Sequence, residues 1–123
     1  MILMATKVDN KLIKPLGLVN MQIQRNAYGR QIDSRKEVVQ FNFTKNHKIH
    51  LSTTLIRAPK IIGYDNNIHV LGRYDNLPVA ILSGHHLCLS FHPELDNIDI
   101  FHRILFDSKS DLFYKKINQL NAA

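Results

Sequence analysis

One cysteine in 123 residues, Cys88, excludes an internal disulfide framework and fits a reducing compartment. Long apolar runs are missing too. The opening MILMATKVDNK is too short for a signal peptide, and nothing later approaches the ~18 apolar residues of a membrane span. We therefore expect a cytoplasmic protein with no membrane contact. There is no repeat, no low-complexity tract and no Ser/Gly-rich linker, which favours one domain with one core. Metal-ligand spacing is also lacking. The histidines form no His-x-x-x-His or His-Glu-x-x-His pattern, so no metal is expected.

What is present describes a globular chain. Hydrophobic residues make up 45% and charged residues 21%, too apolar a balance for disorder. The formal net charge is +6, from 16 Lys+Arg against 10 Asp+Glu. That excess invites a nucleic-acid reading. The basic residues are scattered, however, and the densest spots are the pairs Arg35-Lys36 and Lys115-Lys116. Without a basic run or an aromatic-basic motif, a solvated basic surface is the better account, and no nucleic acid is expected as a partner.

Local pattern gives an order of elements. Residues 1–7 hold strong helix formers and predict a short helix. DNKLIKPLG reads as a loop, broken by Pro15 and Gly17. LVNMQIQ (18–24) alternates as a strand, with Val19, Met21 and Ile23 on one face. RNAYGRQIDS (25–34) is a polar loop, and KEVVQFNF (36–43) is a second strand. HLSTTLIR (50–57) predicts a buried strand. KIIGY (60–64), IHVLGRY (68–74), PVAILS (78–83) and HLCLSF (86–91) are separated by turn residues and predict a meander of hairpins. From Ile98 to Leu120 the apolar spacing is helical, with a break near Asp107-Ser108. Helices to cover both faces of such a sheet are few, so further elements are expected ahead of residue 1.

Three groups of residues carry candidate chemistry. A nucleophilic cysteine needs exposure and a lowered pKa. Cys88 sits between Leu87 and Leu89 in an apolar strand, so a buried structural thiol is expected. In SFHPEL (90–95), His92 and Glu94 lie two positions apart across Pro93. On extended backbone their side chains point the same way. A carboxylate beside an imidazole selects its tautomer and supports the imidazolium. Arg25 and Arg57 each end a strand, where open α/β sheets place ligand groups.

Three segments in this order, QRNAYGRQIDS (24–34), LIRAPKI (55–61) and SFHPEL (90–95), closely resemble the glutaminase subunits of pyridoxal 5'-phosphate synthases. These are class I, triad-type glutamine amidotransferases. The resemblance covers residues 1 to about 110. It implies a flavodoxin-like α/β domain, three-layer with a mixed sheet, of which residues 1–123 form the C-terminal part. It implies a Cys-His-Glu triad that hydrolyses L-glutamine without a cofactor, with ammonia passed to a (β/α)8-barrel synthase subunit as partner. His92 matches the base, Glu94 its orienting carboxylate, Arg25 an arginine on the glutamine, and Ile56 and Arg57 a second pair at the glutamine site.

The same resemblance places the start of this sequence just after a nucleophile elbow, Gly-x-Cys-Ala-Gly, with Ile2-Leu3-Met4-Ala5 matching the helix that follows it. The nucleophile and an earlier Gly-Gly-Glu-Ser loop are then outside the chain, through a truncated product, a late start or a split gene, and Cys88 does not replace the nucleophile. Two departures touch detail: Arg35 stands where the family usually has an aromatic, and Ser83 near a usual glutamine. The alternative is a non-enzymatic module that binds the synthase subunit or a complementary N-terminal fragment.

Overall fold

The computed structural model describes residues 1–25, 35–55 and 59–121. At the N-terminus the helix formers make only a 3-10 turn, Ile2–Met4. A longer helix needs its own carbonyls as acceptors. Here those of Leu3, Met4 and Ala5 accept instead from the amides of Leu16, Val19 and Gly17. The chain passes into a short strand, β1 (Lys7–Val8), which pairs in parallel with β2 (Met21–Gln24). The expected alternation holds in β2: Val19, Met21 and Ile23 are buried, and Gln22 and Gln24 are exposed.

β3 (Arg35–Thr44) and β4 (His47–Leu55) form a long antiparallel hairpin. Val39, Phe41 and Phe43 line its buried face. β4 starts three residues earlier than the pattern predicts, and only Thr53, Thr54 and Leu55 are buried. Its first half extends the hairpin as a ribbon with solvent on one side, so it does not need an apolar run.

β5 (Lys60–Tyr64) departs from the expected meander. It pairs antiparallel with β2, giving a three-stranded mixed sheet in the order β1-β2-β5. Ile61 joins Val19, Met21 and Ile23 in one apolar cluster, which draws the strand there. The turn after it is pinned by Asn20, whose Nδ2 donates to Asp65 Oδ2 at 3.1 Å.

The meander proper is β6 (His69–Tyr74), β7 (Leu77–Ser83) and β8 (His86–Leu89). Asp75 and Asn76 both take positive φ in the β6–β7 turn, as tight hairpins favour. With the β3–β4 hairpin these strands make a five-stranded antiparallel sheet, β4-β3-β6-β7-β8. β3 meets β6 at one registered pair, Phe41 opposite Gly72. A Cβ on Gly72 would lie 2.5 Å from the Phe41 ring, so only glycine allows this approach.

β7 is buried on both faces, as its unbroken PVAIL run requires. Ile81 faces Cys88 and the three-stranded sheet, whereas Ala80 and Leu82 face the other way. There they meet α1 (Ile100–Phe106) and α2 (Tyr114–Asn121) through Phe101, Ile104 and Ile117. The layers are thus a small mixed sheet, a five-stranded sheet and two helices. The predicted break falls between α1 and α2, where Asp107 Oδ1 accepts from the Lys109 amide at 3.1 Å. Among the described residues no helix is long and apolar enough to cross a membrane.

Candidate functional site

Phe91 fixes the backbone of the candidate site. Its ring packs 5.7 Å from Phe41 and 5.3 Å from Phe101, between the long hairpin and α1. The next residue, His92, turns outward, with 67% of its side chain exposed. Pro93 is buried and opens a 3-10 turn, Pro93–Asp96. The turn closes at Asn97, which adopts a left-handed conformation with φ 55°. Glu94 therefore lies on a turn and not on extended backbone as its spacing suggested. The contact still forms: His92 Nδ1 and Glu94 Oε1 are 2.9 Å apart.

The chemistry of that contact has a direction. An ionised carboxylate can only accept, so Nδ1 carries the proton of this bond, and in the neutral ring Nε2 keeps its lone pair. Glu94 favours the ionised form. Its own backbone amide lowers its pKa most, and the hydrogen bond and charge of His92 lower it further. Such a pair can act as a base with its orienting carboxylate.

Asp96, which carries no signal in its sequence setting, anchors the turn. Its Oδ2 accepts from the Thr54 amide at 2.7 Å, and its Oδ1 accepts from the Thr54 hydroxyl at 2.8 Å. Lys36 Nζ lies 3.6 Å from Oδ1. These bonds tie the His92–Glu94 turn to the end of β4. Asp96 and Thr54 are 42 positions apart, so no local pattern could have paired them.

His92 also borders a cavity of about 350 Å³, lined by Met1, Ile2, Leu3, Pro59, Leu89, Ser90 and Phe91 besides the histidine itself. The N-terminal turn and His92 are thus brought to one place from opposite ends of the chain. Arg25 follows β2, whose last registered pair is Gln24 with Lys60, and it is not among the residues that line this cavity. Its amide donates to Asp9 Oδ1 at 3.0 Å and its side chain is exposed. Ile56, Arg57 and residues 26–34 lie outside the described residues. The nearest described residues on either side of the first two, Leu55 and Pro59, belong to β4 and to the cavity wall.

A larger cavity, about 530 Å³, opens where β3 and β6 diverge beyond Phe41 and Gly72. Lys45, Lys48 and His69 line it. It lacks an imidazole–carboxylate pair, so the smaller cavity is the better candidate for chemistry. Cys88 is 2% exposed, and its Sγ lies 4.0 Å from the Met4 Sδ. Burial raises its pKa, against a smaller opposing effect of the N-terminal ammonium. It is the structural thiol its sequence setting predicts. Among the described residues no three His, Cys, Asp or Glu side chains gather to hold a metal ion.

The layered α/β fold is that of a glutamine amidotransferase. A crystal structure of a glutamine amidotransferase is similar with a TM-score of 0.73 and 31% identity, over 86% of this chain and 55% of that one. The protein belongs to the SNO glutamine amidotransferase family, which matches residues 1–109. Similar curated proteins are pyridoxal 5'-phosphate synthase subunits PdxT. That of Thermosipho africanus is 39% identical over 77% of this chain and 49% of its own length. That of Caldicellulosiruptor saccharolyticus is 39% identical over 87% and 55%. The chain therefore spans about half the length of the curated relatives it matches.

Proposed function

We propose that residues 1–123 are the base-bearing part of a single glutaminase domain that serves pyridoxal 5'-phosphate synthesis, with a (β/α)8-barrel synthase subunit as partner. One observation carries this reading: His92, 2.9 Å from Glu94, lines the same cavity as Ile2 and Leu3 of the N-terminal turn. The nucleophilic cysteine comes from an elbow joined ahead of Met1 or carried on a second chain. Nε2 of His92 takes the thiol proton, and the thiolate attacks the carboxamide carbon of glutamine. The tetrahedral adduct collapses as His92 returns the proton to the leaving nitrogen, releasing ammonia and leaving a thioester. Water then attacks the thioester with His92 as base, giving glutamate. Glu94 keeps the reactive tautomer and supports the imidazolium. Arg25, Ile56 and Arg57 hold the glutamine.

The test joins the chain to a segment carrying the Gly-Gly-Glu loop and the Gly-x-Cys-Ala-Gly elbow and measures ammonia release with the barrel present. His92→Ala should remove most of the rate. Glu94→Gln should cost less, because Glu94 transfers no proton. Arg25→Ala should act mainly on KM. Full activity in His92→Ala defeats the assignment.

Exposed apolar side chains favour a second reading, a non-enzymatic interaction module. Leu3, Leu12, Leu16, Leu18 and Ile62 are each more than half exposed, all on the small sheet or the segment leading to it. Such residues mark a surface that meets another chain. Stable co-purification with the synthase, with no ammonia release from the joined form, would favour it.

A further inference from the structure

We propose that Asp96 is a positioning residue of this site: its carboxylate, bound to Thr54, keeps the turn Pro93–Asp96 in the shape that sets Glu94 against His92, and so holds the proton of the neutral imidazole on Nδ1. The inference deepens the glutaminase reading above and rests on it for the effect on rate. The side chains of His92 and Glu94 are both more than half exposed. Packing does not lock side chains so open to water, so their meeting at 2.9 Å depends on the backbone that carries them. That backbone is a four-residue 3-10 turn, a helical form with poor hydrogen-bond geometry of its own.

Asp96 is the last residue of the turn and supplies outside support. Its two carboxylate oxygens accept from the amide and the hydroxyl of Thr54, on β4. The carboxylate is 5% exposed, so these charge-assisted bonds are shielded from water. Both members of the pair are joined to the turn they serve. The Leu95 amide, next to Asp96, donates to the His92 carbonyl at 3.1 Å. Glu94 is held through its own backbone amide, which bonds its carboxylate. A line of hydrogen bonds thus runs from β4 through Asp96 and the turn to the imidazole. The acceptor on Nδ1 selects the tautomer of the neutral ring. A loosened turn therefore gives up both the tautomer and the aim of Nε2.

The test has two arms. In the 123-residue chain, the NMR shifts of the His92 ring nitrogens, read above the pH at which the ring titrates, report its tautomer. The parent and Thr54→Ser should be mainly in the Nδ1–H form. Asp96→Ala should raise the share of the Nε2–H form; where it does not fold, Asp96→Asn combined with Thr54→Val takes its place. A parent-like tautomer in the variant overturns the Asp96 role, and so does a parent mainly in the Nε2–H form. In the form joined to the elbow segment and mixed with the synthase, the same variant should lower kcat roughly tenfold through a misaimed base, with KM for glutamine changed less. Thr54→Ser should keep most of the rate. Unchanged kcat in the variant, with His92→Ala inactive, overturns the Asp96 role and leaves the glutaminase reading standing. No ammonia release from the unmutated joined form overturns both.

Discussion

Replacing Asp96 by alanine should destabilise the protein more than any other single change on the site's surface turn. Asp96 is 5% exposed at its side chain and holds Thr54 with both carboxylate oxygens, at 2.7 and 2.8 Å. A hydrogen bond to a charged group contributes about 1.5–3 kcal/mol. Losing two of them, while leaving the Thr54 amide without its acceptor, should cost about 3 kcal/mol or more. Lys36 adds little, because it is 69% exposed and 3.6 Å away. Asp96→Asn should be milder, about 1 kcal/mol, since its amide oxygen can still accept from the backbone. Thr54→Val should also cost about 1 kcal/mol, because only the hydroxyl bond is lost. Asp96→Ala and Thr54→Val together should fall short of their sum, because the two residues share a bond. Urea unfolding followed by circular dichroism measures all four variants. Amide exchange at Thr54 gives a second measure, and its protection should drop in Asp96→Ala. A midpoint within about 0.5 kcal/mol of the parent, with Thr54 still protected, would refute the reasoning.

Three further outcomes are expected. Cys88 should resist thiol reagents at pH 8 in the native state and react at once in urea, as burial both raises its pKa and shields it; rapid native labelling would contradict the assigned burial. Glu94 should titrate below an ordinary glutamate by NMR. A depressed folded pKa contributes stability above the unfolded pKa and loses it as pH falls through the folded one, so any effect of Glu94 should fade on the acid side. His92→Ala should leave part of the depression, because the backbone amide of Glu94 is its largest cause; a complete return to the ordinary value would show that the histidine dominates. Gly72→Ala should cost about 1–3 kcal/mol by driving a methyl into the Phe41 ring, and a neutral effect in thermal unfolding would show that β3 and β6 do not approach so closely.

Strands with a complete local signature were legible in the sequence. KIIGY, IHVLGRY and PVAILS lie within a residue of β5, β6 and β7. Alternation in LVNMQIQ also identified the buried face of β2. Which strand lies beside which was less legible. β5 is followed by a turn and another strand, the usual pattern of a hairpin, yet it pairs with β2, some 40 residues earlier in the chain. The preference comes from Ile61 meeting Val19, Met21 and Ile23, a contact between segments that no window of sequence contains. The N-terminal helix failed for a similar reason. Its propensity is real, but three of its carbonyls are claimed by residues 16–19, and a tertiary hydrogen bond outweighs a few tenths of a kcal/mol per residue.

The site divides along the same line. His92 and Glu94 are two residues apart, so their contact could be anticipated from spacing, although the turn that delivers it could not. Extended backbone would have aligned the side chains on one face. The 3-10 turn instead brings the carboxylate back under the ring, and it exists because Pro93 opens it and Asp96 ties it to Thr54. Asp96 and Ser90 looked like ordinary polar residues in the sequence, since each matters through something distant. Asp96 is defined by its partner on β4, and Ser90 by a buried hydroxyl that has no hydrogen-bond partner. In the proposed reaction the thiol proton must lie within reach of Nε2. Just past the end of β8, Ser90 and His92 share a cavity wall with the first turn of the chain. The imidazole–carboxylate pair stays exposed there, at 67% and 61% of its side chains.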